Sequence, residues 1–473
     1  MLRGRSEAGQ AQPGGPANLF RKKENNMALT DNYLKTVYQD LLKRNPEQKE
    51  FHQTVYEFLS SVEPVVAQRP ELARYSIIER MLEPEQVFMF PVSWMDDQGK
   101  THVNHGLRLQ YNTAIGPAKG GLRFHPSVNL SIIKFLGFEM VFKNSLTGLP
   151  LGGAKGGADF DPRGKSDDEV MRFCQAFMDA LYAHIGPDTD IPAGDIGVGA
   201  REIGYLFGHY KKLTRDFSGV MTGKAIPSGG SLARKEATGY GICYFAEEML
   251  EDHGQSLFGK RILISGSGNV AIYANEKASQ MGATVVAMSD SDGYIVDEKG
   301  IDVALIKQIK EQERARIRVY ADRVPGAVYH EGSSGIWSVP CDVAFPCATQ
   351  NELDLSGAEA LHYGGCFAVV EGANMPTTPE AVRYLQQEGI LVAPSKAANA
   401  GGVSVSCLEM TQNAQHLSWS FEEVDARLKV IMQSIYRHVA DAAKAYGLEG
   451  DYVRGANIAA FTKVADAMLS QGL

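Results

Sequence analysis

The stretch from Gly259 to Ala271 constrains the fold of this chain more than any other. Gly259-Lys-Arg-Ile-Leu-Ile-Ser265 is a short β-branched run, Gly266-Ser-Gly-Asn-Val-Ala271 follows at once, and a helical pattern covers 269–281. The spacing Gly266-x-Gly268-x-x-Ala271 is that of a tight turn between a buried strand and a helix. Such glycines let the backbone approach a pyrophosphate, which then sits on the helix N-terminus. A second apolar run, Thr284–Met288, leads to Asp290, 24 residues after Gly266. Strand, glycine turn, helix, strand and acid, in that order, are what a doubly wound α/β dinucleotide domain requires.

The same alternation continues. Short strands are expected at 342–345, 367–370 and 390–393, with a helix from Thr238 to Glu251 before the glycine turn. After Gly402 the pattern is helical to the end, and the simplest arrangement returns those helices to the first part of the chain. That first part reads differently. Residues 31–66 are helical, 87–94 and 101–111 are strands joined through the turn Asp96-Asp-Gln-Gly99, and 167–184 and 200–213 are helical. Asn129 or Ser131 caps a helix running to about Leu146, on which Leu136, Met140 and Lys143 share one face.

Three lysines stand out within the first half. Lys119 lies in Gly116-Pro-Ala-Lys-Gly-Gly-Leu-Arg-Phe124, Lys143 in Phe142-Lys-Asn-Ser145, and Lys155 in Leu151-Gly-Gly-Ala-Lys-Gly-Gly157. Flanking glycines leave a lysine open to close approach by backbone or ligand. Ammonium groups converging on one cleft would bind a small polyanion and repel one another, which lowers at least one pKa toward neutrality. A lysine so tuned moves protons at pH 7. Asp195, in Pro192-Ala-Gly-Asp-Ile-Gly-Val-Gly199, has no neighbouring acid, so paired-carboxylate and two-metal chemistry are not expected, and no metal site is read. Beside lysines it would stay ionised and relay a proton. A hydroxyl in Gly401-Gly-Val-Ser-Val-Ser406 is placed to bond a ligand carboxylate. Asp290 would bond the ribose 2′-hydroxyl of NAD, whereas Lys310, Arg314, Arg316 and Arg318 offer cations for the 2′-phosphate of NADP.

Composition limits the function classes. A net charge of −9 without a long basic stripe argues against nucleic-acid binding. No apolar run reaches the roughly 18 residues of a membrane-crossing helix. The six cysteines contain no C-x-x-C pair and read as reduced, buried thiols of a cytoplasmic protein, with Cys347 in a loop near the cofactor and not a nucleophile. Residues 1–26, rich in Gly, Pro, Gln and Arg, read as a disordered tail, with Met27 a candidate first residue.

Taken together, these segments resemble the hexameric, bacterial-type glutamate dehydrogenases over residues 30–473. The matching stretches include Gly116–Phe124, Leu149–Phe160, Met171–Gly186, Pro192–Gly204, Ala237–Gly241, Gly266–Ala271, Pro346–Leu353, Glu371–Pro376 and Lys396–Gly402. The resemblance implies a substrate-binding and oligomerisation domain at 27–225, a Rossmann-like domain at 226–402, and C-terminal helices at 403–473 packing back on the first domain. It implies that Lys119, with the hydroxyl of Ser406, holds the substrate's side-chain carboxylate and that Lys143 holds the α-carboxylate. Lys155 and Asp195 then stand at the catalytic positions, Gly194 at a backbone substrate contact, and Thr238, Asn269, Val270 and Asn374 at cofactor contacts. The run Ser289-Asp-Ser291 looks like that of the NADP-using members, so NADP is expected, with NAD the alternative. The implied reaction interconverts L-glutamate with 2-oxoglutarate and ammonium, in a homohexamer. A preference for leucine or phenylalanine is the other reading within the class, and Lys119 argues against it, because an apolar pocket would not bury a lysine unpaired. An inactive binding paralogue is the reading outside it, and the retention of Lys155, Asp195 and the glycine turn argues against that. One position departs from the resemblance: Met140 stands where the family often has glutamine, and a thioether donates no hydrogen bond.

Overall fold

The computed structural model describes residues 29–472, so the tail read at 1–26 and Met27 lie outside the described residues. The helical stretch expected at 31–66 is two helices, α1 (Asn32–Arg44) and α2 (Lys49–Gln68). Pro46 separates them, since it has no N–H and disfavours helix in the residue before it. Asp31 caps α1 by accepting the Leu34 N–H.

A first sheet follows, with strand order β1-β2-β4-β3-β5. β1 (Gln86–Met95) and β2 (Thr101–Asn112) are antiparallel and joined by the expected turn, where Asp96 N donates to Lys100 O at 3.0 Å. β3 (Ala118–Phe124), β4 (Gly153–Ala158) and β5 (Asp190–Gly194) complete it, and β3 runs parallel to both β4 and β5. The glycine-rich lysine segments therefore form the middle of a sheet, although they carry no β-branched alternation. Backbone crowding demands the glycines: a Cβ on Gly120 would lie 1.6 Å from Ala154 O, and Gly157 has φ +151° with Arg123 O 2.0 Å from its would-be Cβ.

Helix α3 (Leu130–Leu146), capped by Asn129, covers one face of this sheet. Gly137 lets it sit close, since a Cβ there would meet Leu109, Tyr111 and Lys155. On the other face lie α4 (Asp167–Leu181) and α5 (Ala200–Thr214). They bury an aromatic core in which Phe160 and Phe173 stack with centroids 3.8 Å apart, flanked by Trp94, Phe124 and Phe177.

The second sheet has order β12-β11-β10-β6-β7-β8-β9. β6 (Arg261–Ile264), β7 (Thr284–Ser289), β10 (Val343–Phe345), β11 (Ala368–Val370) and β12 (Leu391–Ala393) are parallel and fall where the sequence pattern puts them. β8 (Gly293–Val296) and β9 (Val328–Glu331) extend one edge antiparallel. Helices α6 (Ala237–Asp252), α7 (Asn269–Gln280), α8 (Leu355–Tyr363) and α9 (Pro379–Gln387) surround it. The strand order reverses between β6 and β10, and the crevice at such a switch point is where open α/β sheets bind ligands.

Three helices close the chain: α10 (Gly401–Gln415), α11 (Phe421–Ala445) and α12 (Tyr452–Ser470). α11 lies along α6, tied by Tyr244 Oη to Asp425 and Tyr436 Oη to Asp252, each at 2.7 Å. α12 reaches the first sheet's helices. Ser145 Oγ donates to Ala460 O at 3.2 Å, Asn457 Nδ2 donates to Ser61 Oγ at 2.9 Å, and the Phe58 and Phe461 rings meet at 5.7 Å. The two sheets are thus linked twice, through residues 221–236 and through residues 394–400. The α/β class read from the sequence is the class of the structure.

Candidate active site

β4 carries Lys155 and the end of β5 presents Asp195, and the two meet. Lys155 Nζ lies 2.9 Å from Asp195 Oδ2. Arg123 Nε donates to the same oxygen at 2.9 Å. Lys119, Gly121 and Arg123 occupy alternate positions of β3 and so share one face. Gly121 makes room for the carboxylate, because a Cβ there would sit 2.9 Å from Asp195 Cβ. Burial alone would raise the Asp195 pKa, but the charges of Lys155 and Arg123 outweigh it and hold the carboxyl below its ordinary range. Burial lowers the Lys155 pKa; Asp195 opposes this, while Arg123 and Arg108 add to it. Arg108 is itself fully buried and pairs with Asp190, its Nε donating to Oδ2 at 2.7 Å.

Lys143 sits in the last turn of α3, where desolvation and then the nearby Lys155 bring its pKa down to about 8, against the pull of Glu139 and Asp195. Leu136, Met140 and Lys143, expected on one face, are all half-buried, while the rest of this stretch of α3 is largely in the core. Met140 is therefore outside the core, on the side that carries Lys143.

Lys119 is 1% exposed and donates to Thr222 Oγ1 at 2.9 Å. Desolvation, then the charges of Arg234 and Arg108, lower its pKa to about 7, with Glu409 opposing. Arg234 faces both Lys119 and Lys143, and its Nε donates to Ser406 Oγ at 3.1 Å. The structure thus brings together Lys143, Lys155 and Asp195 at one point, and Lys119, Thr222, Arg234 and Ser406 at another, with Arg234 facing the lysine of each. Gly194 is exposed at the end of β5, and a Cβ there would lie 2.5 Å from Val198 O. Arg123, Thr222 and Arg234 are additions to the sequence reading. Arg123 was reachable through the two-residue period of β3; nothing local marks Thr222 or Arg234.

The crevice of the second sheet lies beside this cluster. Gly266 has φ +85° at the end of β6, and a Cβ there would lie 3.0 Å from Ala348 after β10. Gly268 begins α7 without a side-chain cap, which leaves the N–H groups around Asn269 and Val270 for a phosphate. Thr238 stands near the start of α6, its Oγ1 2.7 Å from where a Cβ on Gly402 would be. Asn374 is exposed and accepts from Asn399 Nδ2 at 3.1 Å. Cys347 is buried, with its Sγ 2.4 Å from where a Cβ on Gly372 would be, and burial pushes its thiol up.

Asp290 lies at the end of β7 with its carboxylate committed. Oδ1 accepts the Asp292 N–H at 3.0 Å and Oδ2 accepts the Ile317 N–H at 2.9 Å. Lys310 Nζ is 3.7 Å from Oδ2, and Arg316 Nη1 donates to Ser291 Oγ at 2.7 Å. Lys310 and Arg316 therefore gather at this point. Arg318 instead lies over the Tyr329 ring, 6.0 Å from its centroid.

A dinucleotide crevice facing a lysine-lined cleft is the arrangement of a nicotinamide-dependent dehydrogenase. The family model Glutamate/Leucine/Phenylalanine/Valine dehydrogenase matches residues 229–472, and the Glu/Leu/Phe/Val dehydrogenase dimerisation domain matches residues 84–212. The chain belongs to this family. It is 56% identical to the NADP-specific glutamate dehydrogenase of Helicobacter pylori over 447 residues, covering 93% of this chain and 100% of that protein. It is 54% identical over 443 residues to the NADP-specific glutamate dehydrogenase of Escherichia coli, covering 93% of this chain and 98% of that one. Among solved structures, Plasmodium falciparum glutamate dehydrogenase 2 superposes with a TM-score of 0.91 at 50% identity, covering 95% of this chain and 98% of that chain.

Proposed function

We propose that the chain catalyses the reversible oxidative deamination of L-glutamate, in which L-glutamate, NADP⁺ and water give 2-oxoglutarate, ammonium, NADPH and a proton. The observation that carries the choice of substrate is Lys119, 1% exposed with Thr222 beside it and Arg234 facing it. A leucine or phenylalanine side chain would leave that ammonium buried with no anion in contact, since the Glu409 carboxylate is committed to Gly223 and Lys224, and that is costly. The test is oxidation of glutamate, leucine, phenylalanine and valine in parallel, followed at 340 nm. Glutamate should win by orders of magnitude, and an equal rate with leucine would sink the assignment.

The crevice fits NADP. The uncapped start of α7 and the bare Cα of Gly266 suit a pyrophosphate. The Asp290 oxygens are occupied by backbone N–H groups, and Ser291, Lys310 and Arg316 supply donors for a 2′-phosphate. When bound, the nicotinamide takes up or gives the hydride.

The chain's own residues do the rest. Lys143 and Lys119 hold the α- and side-chain carboxylates, with the Ser406 hydroxyl supporting the second, and the Gly194 backbone borders the substrate. Lys155, its pKa lowered by burial, takes a proton from the water that attacks the iminium carbon. Asp195, kept ionised by Lys155 and Arg123, exchanges a proton with the leaving nitrogen.

The assembly belongs to the same reading. β1 is an edge strand with Val87, Met89 and Met95 exposed, and Val103 of β2 is exposed beside it. An apolar edge of this kind calls for a partner strand, and a homohexamer built through the first sheet would cover it. Light scattering should give six chains; a monomer at micromolar concentration would contradict this. All six cysteines are free and buried, and no helix among the described residues is long and apolar enough to cross a membrane. The free thiols fit a reducing compartment such as the cytoplasm, and the proposed reaction fits a role in ammonia assimilation and glutamate metabolism.

A further inference from the structure

Glu409 lies on α10 three residues after Ser406, on the same face. Its carboxylate is fully buried and does not touch the lysine–aspartate pair. It grips the first crossing between the two sheets instead. Oε2 accepts the Gly223 N–H at 2.9 Å, and Oε1 accepts the Lys224 N–H at 3.3 Å and the Lys224 ammonium at 2.8 Å. The Lys224 and Glu409 side chains are 1% and 0% exposed, and Lys224 Nζ also reaches Met221 O. Two further residues of α10 hold the same crossing, Gln412 through Ser231 Oγ at 2.8 Å and Asn413 through Gly229 O at 2.7 Å.

The gripped turn carries Thr222, whose hydroxyl takes the Lys119 ammonium and whose N–H donates to Pro192 O at 3.1 Å. The groups that face Lys119 come from three elements: Arg108 from β2, Arg234 from the crossing, and Glu409 and Cys407 from α10. Glu409 is the carboxylate in that set. A pocket that must receive an anion is thereby held by an acid placed behind it.

We propose that Glu409 is a positioning residue for the side-chain carboxylate subsite. It fixes the turn 222–224 against α10, so that Thr222 and Lys119 face the substrate together with Ser406. This rests on the reading of Lys119 given above. A buried ion pair is weak support for stability, and its replacement by apolar groups is often neutral. The pair is therefore better explained by what it positions than by what it stabilises.

The experiment compares the full chain with Lys119→Leu, Glu409→Gln, and the double variant Glu409→Gln/Lys224→Met, which removes both buried charges. KM for 2-oxoglutarate, KM for NADPH and kcat are measured from pH 6 to 9. Both Glu409 variants should raise KM for 2-oxoglutarate by about ten-fold or more, with KM for NADPH within about two-fold. In both, the rise of KM with pH should also begin lower, because Lys119 has lost its opposing charge. A wild-type KM for 2-oxoglutarate in the double variant would overturn the proposal, since Glu409 would then serve only to neutralise Lys224. An equal rise in both KM values would overturn it too. If Glu409→Gln fails to fold, the double variant decides. An unchanged KM in Lys119→Leu would remove the subsite reading itself, and the proposal with it; a raised KM there beside unaffected Glu409 variants would remove the proposal alone.

Discussion

Lys155 Nζ lies 2.9 Å from Asp195 Oδ2, within a site where each of the two groups shifts the other. Burial favours the neutral amine, and the carboxylate holds part of its positive charge in place. This is the balance a general base needs, since it must be neutral often enough to take a proton and basic enough to keep it.

Lys155→Ala and Asp195→Asn should each lower kcat by on the order of 10² or more. The second sheet is built independently of both residues, so NADPH binding, read by fluorescence titration, should stay near normal. A near-normal kcat in either variant would take that residue out of the chemistry.

Arg123→Gln should move the acid limb of the kcat profile to higher pH. Activity rises with pH as Lys155 loses its proton. Removing Arg123 takes a like charge away from Lys155, so its pKa rises, and removes a cation from Asp195, whose pKa rises as well. The midpoint itself should move, in the direction of higher pH. A profile that keeps its midpoint while losing amplitude would leave Arg123 a merely structural role.

KM for 2-oxoglutarate should depend on pH through Lys119 and Lys143 if they hold the substrate's carboxylates as proposed. In the free enzyme their pKa values are lowered to about 7 for Lys119 and about 8 for Lys143. The substrate's carboxylates bind the ammonium forms, so KM should be flat below about pH 7 and rise above it by up to about ten-fold per unit, more steeply past pH 8. The cofactor KM serves as the control. A flat substrate KM from pH 6 to 9 would mean that neither lysine titrates there.

The second sheet was legible in the sequence because each of its parallel strands is a short, mostly apolar run, and its glycine turn has a fixed spacing. The first sheet was legible only at the β1–β2 hairpin. β3 and β4 are held by backbone packing too tight for side chains, as Gly120 against Ala154 shows, and that contact is invisible without the fold. The shared face of Leu136, Met140 and Lys143 followed from helical spacing alone. Arg234 and Glu409 were not legible, since their partners lie 172 and 185 residues away. The commitment of Asp290 to Ile317 N–H was hidden for the same reason, and it changes how an acid at that place bears on the choice of cofactor.

Preference for NADPH over NADH should rest on Lys310 and Arg316. Changing either to alanine should lower kcat/KM with NADPH by about ten-fold or more, as expected from loss of a charge-assisted phosphate contact. With NADH the value should barely move. Equal losses with the two cofactors would place these cations away from the 2′-phosphate.

Met140→Gln tests the candidate-site position where the resemblance leads one to expect glutamine. Met140 is half-buried one turn before Lys143 and on its face, which puts it beside the α-carboxylate subsite proposed at Lys143. A glutamine amide there adds a neutral donor to a charged acceptor, worth roughly 1.5–3 kcal/mol less whatever a bridging water recovers. Methionine and glutamine are close in volume, and the thioether is flexible, so stability should change little. The variant should therefore gain about three- to thirty-fold in kcat/KM for glutamate. The gain should appear in KM more than in kcat, because the contact is present in the ground state as well as the transition state. No gain, together with a Tm lowered by more than about two degrees, would mean that Met140 contributes packing and the carboxylate is held by Lys143 without help from this position.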